Sequence, residues 1–326
     1  MKIYGQQLCN VLSGSPSSVL GSTYYDAESV FQQIAARLTA QAATWTACAQ
    51  RAEVVYRDNY VLTSTSPDAP QGGAVPGYWA FTDGLRRDFE LSGDVKSQVA
   101  VNALAKHAAF CSDTVPMEWT DSASYMREVA YCLNSTLDNE ALGVPMTARA
   151  DLRLEQLLDH LDATIALRYK AESDADVPDI CKGKTYAQPF YIGLALKTLI
   201  EWDSVHPDTR ILPIIRRTVD FMWSKLRFQP TATSGRFWYG QCSNADNAWN
   251  VWTTGGGNLP ADDLNLLYAP AWAYLFAKTG ETKYRDQGDA AWMVGVNDAT
   301  VNGLNSKQLN QNYHWSFEYV RWREGR

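Results

Sequence analysis

Two short stretches nearly two hundred positions apart share one corner: Leu91-Ser92-Gly93-Asp94-Val95-Lys96 and Lys278-Thr279-Gly280-Glu281-Thr282-Lys283. On each side of both corners the apolar residues recur at helical spacing. Phe81, Leu85 and Phe89 lie four apart before the first corner, and Val95, Val99 and Ala103 resume the period after it. A periodic run, a glycine and a second periodic run predict two antiparallel helices. Glycine accepts the left-handed bend that ends the first helix, and Ser or Thr is expected to cap the second. A chain that repeats this device has little choice but to pack helices on helices.

Other segments fit the same scheme. Ala27 to Gln41 carries Val30, Ile34 and Leu38 and leads into a second helix from about Thr44 to Val61. Ser122 to Asn139 carries Met126, Ala130, Leu133 and Leu137, with a partner from about Ala148 to Lys170. Tyr186 to Trp202 turns at His206-Pro207-Asp208 into Arg210 to Leu226, and Leu264 to Val296 supplies the pair around the second glycine corner. The one clear strand signal is Gly235-Arg236-Phe237-Trp238-Tyr239-Gly240, a bounded aromatic run. Hairpins in series either stack into an open solenoid or close into a toroid. The corners vary in length and no fixed period runs through the chain. The expectation is therefore an all-α toroid of five to seven hairpins, a single domain over residues 1–326, carrying a short aromatic β-hairpin or loop.

Composition narrows the partners. The net charge is −7, and the 29 Lys and Arg residues are scattered with no basic stripe to follow a phosphate backbone, so nucleic acid is excluded as a partner. No apolar run reaches the roughly 20 residues that span a bilayer, and no membrane partner is expected. Met1-Lys2-Ile3-Tyr4-Gly5 lacks the apolar stretch of a secretory signal, so a soluble chain is expected, exported only if a leader is removed or another route is used. The six cysteines have no CxxC and no histidine at zinc spacing. Cys48 and Cys132 fall in helical patterns and read as packed thiols; Cys181 and Cys242, both in loops, are the pair considered as a disulfide. No phosphate loop, dinucleotide fingerprint or metal-ligand cluster is visible, so neither cofactor nor metal is expected.

The segment from Asn310 to Arg323 packs amides, a phenol, an imidazole, indoles and guanidiniums together without Gly or Pro. One helix over it would line up Asn310, His314, Glu318 and Arg321 as a polar stripe with Tyr313 on its shoulder. A second stripe is Arg127, Tyr131, Asn134 and Asp138, opposite the apolar face of its helix; for Asp138 a solvated outer face is the expectation.

With these hairpins and the terminal segment the chain resembles the α/α-toroid carbohydrate-active proteins, which include polysaccharide lyases acting on alginate and glucuronan, unsaturated glucuronyl hydrolases and inverting glycoside hydrolases. The resemblance rests on the helical architecture and on Arg127-Glu128-Val129-Ala130-Tyr131, Asp262-Asp263-Leu264-Asn265-Leu266-Leu267-Tyr268-Ala269-Pro270, and Asn310-Gln311-Asn312-Tyr313 leading into Trp315-Ser316-Phe317. Where such proteins are expected to carry Arg after the Tyr, this chain has His314. The resemblance implies β-elimination on an acidic polysaccharide or oligosaccharide: a base takes the proton at C5, alpha to a neutralised carboxylate, and an acid protonates the leaving O4. Tyr313, His314 and Asn312, with Arg127 and Tyr131 from another hairpin, are the expected catalytic set. A Tyr is mostly neutral at pH 7, its ordinary pKa being about 10, so it serves directly as an acid and becomes a base only beside cations.

Trp238, Tyr239, Trp249 and Trp252, followed by Gly255-Gly256-Gly257-Asn258, read as a sugar platform, since ring faces suit pyranose C–H groups. Asn265, Asn310 and Arg321 complete the expected binding set. The alternative is an inverting glycoside hydrolase, which needs two carboxylates about 6.5–9.5 Å apart; Asp83, just after Tyr78-Trp79, and Glu128, Asp262 and Asp263 are its candidates. A non-catalytic helical-repeat protein that binds carbohydrate is the third reading.

Overall fold

A computed structural model describes residues 2–65, 75–111, 123–166, 168, 181–228, 234–243, 249–252, 260–298 and 307–325. Fourteen helices are found among them. In chain order they are α1 (Lys2–Val11), α2 (Pro16–Val19), α3 (Ala27–Arg37), α4 (Ala42–Glu53), α5 (Asp83–Ser92), α6 (Val95–His107) and α7 (Met126–Ala141). There follow α8 (Thr147–Ile165), α9 (Pro189–Val205), α10 (Ile211–Lys225), α11 (Ala269–Thr279), α12 (Thr282–Asn297), α13 (Lys307–Tyr313) and α14 (Ser316–Glu324). The fold class is all-α. Each predicted pair has its counterpart: α3 with α4, α5 with α6, α7 with α8, α9 with α10, and α11 with α12.

The two shared corners form for the expected reason and with one correction. Gly93 and Gly280 take φ of 75° and 71°, the left-handed region where a side chain is strained, and each N–H closes the preceding helix on the carbonyl of Phe89 or Phe276. The cap of the next helix is not the hydroxyl residue. Asp94 accepts the N–H of Lys96, while Ser92 Oγ accepts the N–H of Asp94. Thr279 Oγ1 does the same for Glu281. The hydroxyl braces the corner and the acid next to the glycine begins the helix.

The chain's contacts divide into two compact units. The first comprises Met1–Pro116, Tyr131–Arg153 and Thr300–His314; the second comprises Met117–Ala130, Leu154–Ala299 and Trp315–Arg326. In the first, α3 and α4 pack through stacked Phe31 and Trp45, ring centroids 6.0 Å apart, around buried Leu8, Val30 and Ile34. Gly5 of α1 rests on the Trp45 ring: a Cβ there would come within 2.9 Å of it. Beyond Glu53 the helix widens into a π-helical stretch, Val54–Val61, a geometry that recurs where side chains are aimed at a site. In the second unit α9 is apolar nearly all round and central, and Trp272, Tyr268, Phe237 and Trp223 form one edge-on aromatic group beside it. A helix buried on every side needs no amphipathic stripe.

A small antiparallel sheet, β1 (Tyr186–Ala187), β2 (Gly240–Ser243) and β3 (Trp249–Trp252), lies in the second unit, with Gly240 opposite Trp252 and Ser243 opposite Trp249. The expected β-hairpin is present but begins later than predicted. Phe237 and Trp238 make only isolated bridges, to Arg227 and Pro260.

All six cysteines are paired: Cys9–Cys48, Cys111–Cys132 and Cys181–Cys242, with Cα separations of 5.1, 5.2 and 5.6 Å. The third pair is the one the sequence suggested. Cys48 and Cys132 are not packed thiols; each sits on a helix whose buried face brings it to a cysteine on another segment. No helix among the described residues is long and apolar enough to cross a membrane.

Candidate functional site

The first unit gathers carboxylates around one unusual turn. Tyr25 and Asp26 both have left-handed backbones, φ 63° and 56°, costly for residues with a side chain and concentrated where surrounding structure imposes them. The turn aims the Asp26 carboxylate between two helix starts. Its Oδ1 accepts the N–H of Ser29 at 3.0 Å in α3, and its Oδ2 accepts the N–H of Gly84 at 2.9 Å in α5. Only glycine fits opposite it, because a Cβ on residue 84 would lie 2.6 Å from Asp26 Oδ1.

Asp83, the half-buried first residue of α5, stands beside this carboxylate. Asn134 Nδ2 donates to Asp83 Oδ1 and to Asp138 Oδ2, each at 3.1 Å. Asp138, with 6% of its surface exposed, also accepts Thr82 Oγ1 at 2.5 Å and Arg86 Nε at 2.7 Å. It does not lie on a solvated outer face; Thr82 and Arg86 satisfy it inside. Burial pushes Asp26 up to about 7, the nearby charge of Asp83 adds to it, and Asp138 contributes less, against the lowering effect of the two backbone N–H bonds. Asp26 is thus the member of the group that holds a proton near neutral pH, while the Arg86 guanidinium lies beside Asp138 and Asp83.

Aromatic rings frame the same place. Tyr24 meets Trp79 edge-on at 4.8 Å and Phe81 at 5.3 Å, Tyr60 meets Trp79 at 5.5 Å, and Phe81 meets Tyr131 at 5.4 Å. Tyr56, on the π-helical stretch, donates its hydroxyl to the Trp79 carbonyl and accepts the Phe81 N–H at 2.9 Å, fixing the segment before Asp83. Tyr78 remains 39% exposed and Trp79 half-buried. These two partly accessible rings precede half-exposed Asp83 by only a few residues in the chain.

The terminal segment is not one helix. α13 stops at Tyr313, His314 and Trp315 turn, and α14 begins at Ser316, so the continuous stripe from Asn310 to Arg321 does not exist. Asn310 is fully buried and donates Nδ2 to the carbonyls of Ser22 at 2.8 Å and Tyr24 at 2.9 Å. It is a fastener for the strand of chain that carries Asp26 and not a substrate ligand. Asn312 is buried with both side-chain polar atoms lacking a hydrogen-bond partner. His314 is buried, and its carbonyl accepts Gln33 Nε2 at 3.4 Å. Tyr313 is half-buried, and burial raises its phenol above the usual value.

In the second unit Arg127 pairs with Glu128 at 2.6 Å and covers the Tyr191 ring at 4.9 Å. Tyr131 belongs to the first unit and is buried. Arg321, on α14, is exposed, pairs with Glu318 and lies over Trp322 at 4.5 Å. Asn265 is fully buried and its amide is consumed: Nδ2 donates to Gly235 O at 2.7 Å and Ala291 O at 3.0 Å, and Oδ1 accepts the Tyr268 hydroxyl. It staples the 3₁₀ turn Asp262–Leu267 and is not a substrate ligand. Trp238 is buried edge-on to Phe228 at 4.2 Å, a packed ring and not an open platform, and Tyr239 packs against Phe190 at 5.1 Å. The side chains of Trp249 and Trp252, and Gly255 to Asn258, lie outside the described residues.

Of the hydrolase candidates, Asp262 pairs with Arg236 at 3.0 Å and burial lifts it to about 6, while Glu128 is engaged by Arg127. Asp262 also lies near Asp298 and Asp263, but Arg236 pairs with it and with Asp298, whereas Asp83 stands with the buried carboxylates Asp26 and Asp138. A cavity of about 450 Å³ lies elsewhere in the first unit, lined by Gln98, Asn102, Lys106, His107 and Val144, none of them in this group. No family model matches the chain, and no curated protein matches it.

Proposed function

We propose that the chain is a carbohydrate-cleaving enzyme of the α/α-toroid class that hydrolyses a glycosidic bond through carboxylate acid–base chemistry centred on Asp83. The observation that carries this reading is half-exposed Asp83, joined through Asn134 to buried Asp138 and standing beside buried Asp26, shortly after Tyr78 and Trp79 in the chain. A glycosidase needs a carboxyl group that holds a proton for the leaving oxygen and a carboxylate that activates water or attacks the sugar. Like charges in a desolvated group keep a proton available near neutral pH. Sugars stack on exposed aromatic faces. The helical hairpins support closure into a toroid with this group facing its cleft. Three disulfides support folding in an oxidising compartment and hence export.

Cleavage of an acidic polysaccharide by β-elimination is the second reading. It is favoured by one feature: burial raises the Tyr313 phenol, which keeps it protonated as a general acid beside His314. One panel of neutral and uronate-containing polysaccharides separates the two. Hydrolysis releases reducing ends without ultraviolet absorbance, elimination produces the absorbing C4–C5 double bond, and a binding protein does neither. Asp83→Asn, which keeps shape and Asn134's neighbour, is expected to lower turnover by about 10²–10⁴-fold with folding intact. An active Asp83→Asn variant together with an inactive Tyr313→Phe variant reverses the order of the readings.

A further inference from the structure

A second acidic group lies where α3, α4 and α5 meet. Glu28 stands in the first turn of α3, Glu53 closes α4 and Asp88 sits mid-way along α5. One oxygen from each carboxylate lies within 4.8 Å of the other two. Two oxygens on opposite sides of a calcium ion, each about 2.3–2.6 Å from it, are separated by about that much. The three are therefore spaced for one ion without rearrangement of the helices.

Acidic residues crowd together for many reasons, and here a second observation points to a ligand. Glu28 is buried, its Oε1 accepts Gln32 Nε2 at 3.0 Å, and its Oε2 is sealed from solvent with no hydrogen-bond partner. A buried carboxylate oxygen without a donor is among the costlier things a fold can carry. Arg57 eases it only through space, being close enough to oppose the rise in the Glu28 pKa without supplying a donor. That guanidinium bonds Asp58 at 2.8 Å, Asp94 at 2.9 Å and Ser97 at 2.7 Å, pairs with Glu53 and approaches Asp88 at 3.5 Å, with no hydrogen bond to Glu28. Arg57, with exposed Lys96 3.9 Å from Asp58, thus serves Glu53, Asp58, Asp88 and Asp94, while Glu28, with Asp26 two residues before it, adds further negative charge.

We propose that Glu28, Glu53 and Asp88 bind a divalent cation, calcium by the all-oxygen chemistry of the group, which ties α3, α4 and α5 together. With neither His nor Cys among the three, the donors suit calcium or magnesium and not zinc. Their irregular arrangement, completed by water, suits calcium, which tolerates such geometry, more than magnesium, which demands a near-ideal octahedron. The ion would rest behind the Asp26 turn and hold it, away from any sugar. Sequence offered no sign of it, because the three ligands are scattered over separate helices.

The test uses the full chain stripped with a chelator, titrated calorimetrically with calcium chloride and separately with magnesium chloride, and melted with and without each. Expected is one calcium per chain and a melting temperature raised by roughly 2–5 °C at saturating calcium, with magnesium weaker. Glu28→Gln is expected to abolish both signals and Asp88→Asn, at a more accessible position, to weaken calcium binding at least tenfold while far-ultraviolet circular dichroism stays unchanged. Absence of heat and of a melting shift at millimolar calcium overturns the proposal. So does unchanged calcium binding in Asp88→Asn, which places the ion elsewhere, or a Glu28→Gln variant more stable than the parent in calcium, which assigns Glu28 a proton instead. These readouts do not involve turnover, so they stand apart from the outcome for Asp83.

Discussion

The two units treat buried charge in opposite ways. In the first, burial lifts Asp26 and Glu53 to about 7 and Glu28 well above its usual value, and neighbouring carboxylates add to the effect. In the second, described acids meet basic or hydroxyl donors: Asp289 is held below its usual range by Arg323 and the Tyr319 hydroxyl, and Asp208 by Arg210. Asp203 accepts the Tyr274 hydroxyl, and Glu281 pairs with Arg216. Asp262 departs from this, being raised to about 6 by burial despite Arg236. Charge in the second unit fastens helices together. In the first it is concentrated at a cost to stability, and such concentrations mark functional groups more often than structural ones.

Two glycines sharpen this contrast most strongly. Gly84 of the first unit abuts Asp26 Oδ1 at 2.6 Å and the Ser29 N at 2.8 Å, measured from an added Cβ, whereas Gly280 of the second has open space and only its positive φ to defend. Gly84→Ala must displace the Asp26 turn or the start of α5, and a loss on the order of 3 kcal/mol is expected. Gly280→Ala is expected to cost about 1 kcal/mol through backbone strain alone. Denaturant melts of both variants measure the difference. Equal costs would mean that the Asp26 turn is soft and that its acids are not held in place.

Acidity offers the next test, because the units respond to it with opposite signs. Asp26 and Glu53 keep in the folded chain a proton that the unfolded chain releases near pH 4. Their stabilising contribution is full below that pH and is lost as pH rises to about 7. His160 in the second unit behaves inversely: burial depresses it to about 4 from 6.5, so stability is lost as pH falls through that range. Hydrogen exchange in chelator, corrected for the intrinsic rate, is expected to show α3 amides gaining protection from pH 7 to pH 5. The α8 amides around His160 should lose it. Changes on the order of 1–2 kcal/mol are expected, and a common slope in both helices would remove the distinction.

Much of the helical plan was legible in the sequence, and the candidate site was legible only in part. Periodicity and the glycine corners located five helix pairs because both are local: a buried stripe and a left-handed turn are written within a dozen residues. Asp83 was visible through its neighbours Tyr78 and Trp79. Asp26 was not, since its role depends on a strained turn and on a glycine far along the chain. Asn265 and Asn310 have the composition of binding residues, yet each donates to two carbonyls that only tertiary folding brings near. The break at His314–Trp315 carries no Gly or Pro to announce it. Cys9–Cys48 and Cys111–Cys132 were missed because a helical cysteine looks like any packed thiol until its partner segment is placed.

The smallest expected effect tests whether the second unit's pairs are the modest fasteners they resemble. Arg323 donates Nε to Asp289 Oδ1 and Nη2 to Oδ2, both at 2.8 Å, and the Tyr319 hydroxyl adds a further bond. The geometry is bidentate, the strongest form of such a pair. Water screens it all the same, since 43% of the Asp289 side chain is exposed. Asp289→Ala is therefore expected to cost only about 0.5–1 kcal/mol, and less in high salt. Because the folded carboxyl is depressed, its contribution is present above the ordinary value and lost as pH falls below it, opposite to Asp26. Denaturant melts of parent and variant at low and high salt decide the matter. A loss of several kcal/mol that salt leaves untouched would show this acid to be as deeply committed as those of the first unit, and the contrast between the two would fail.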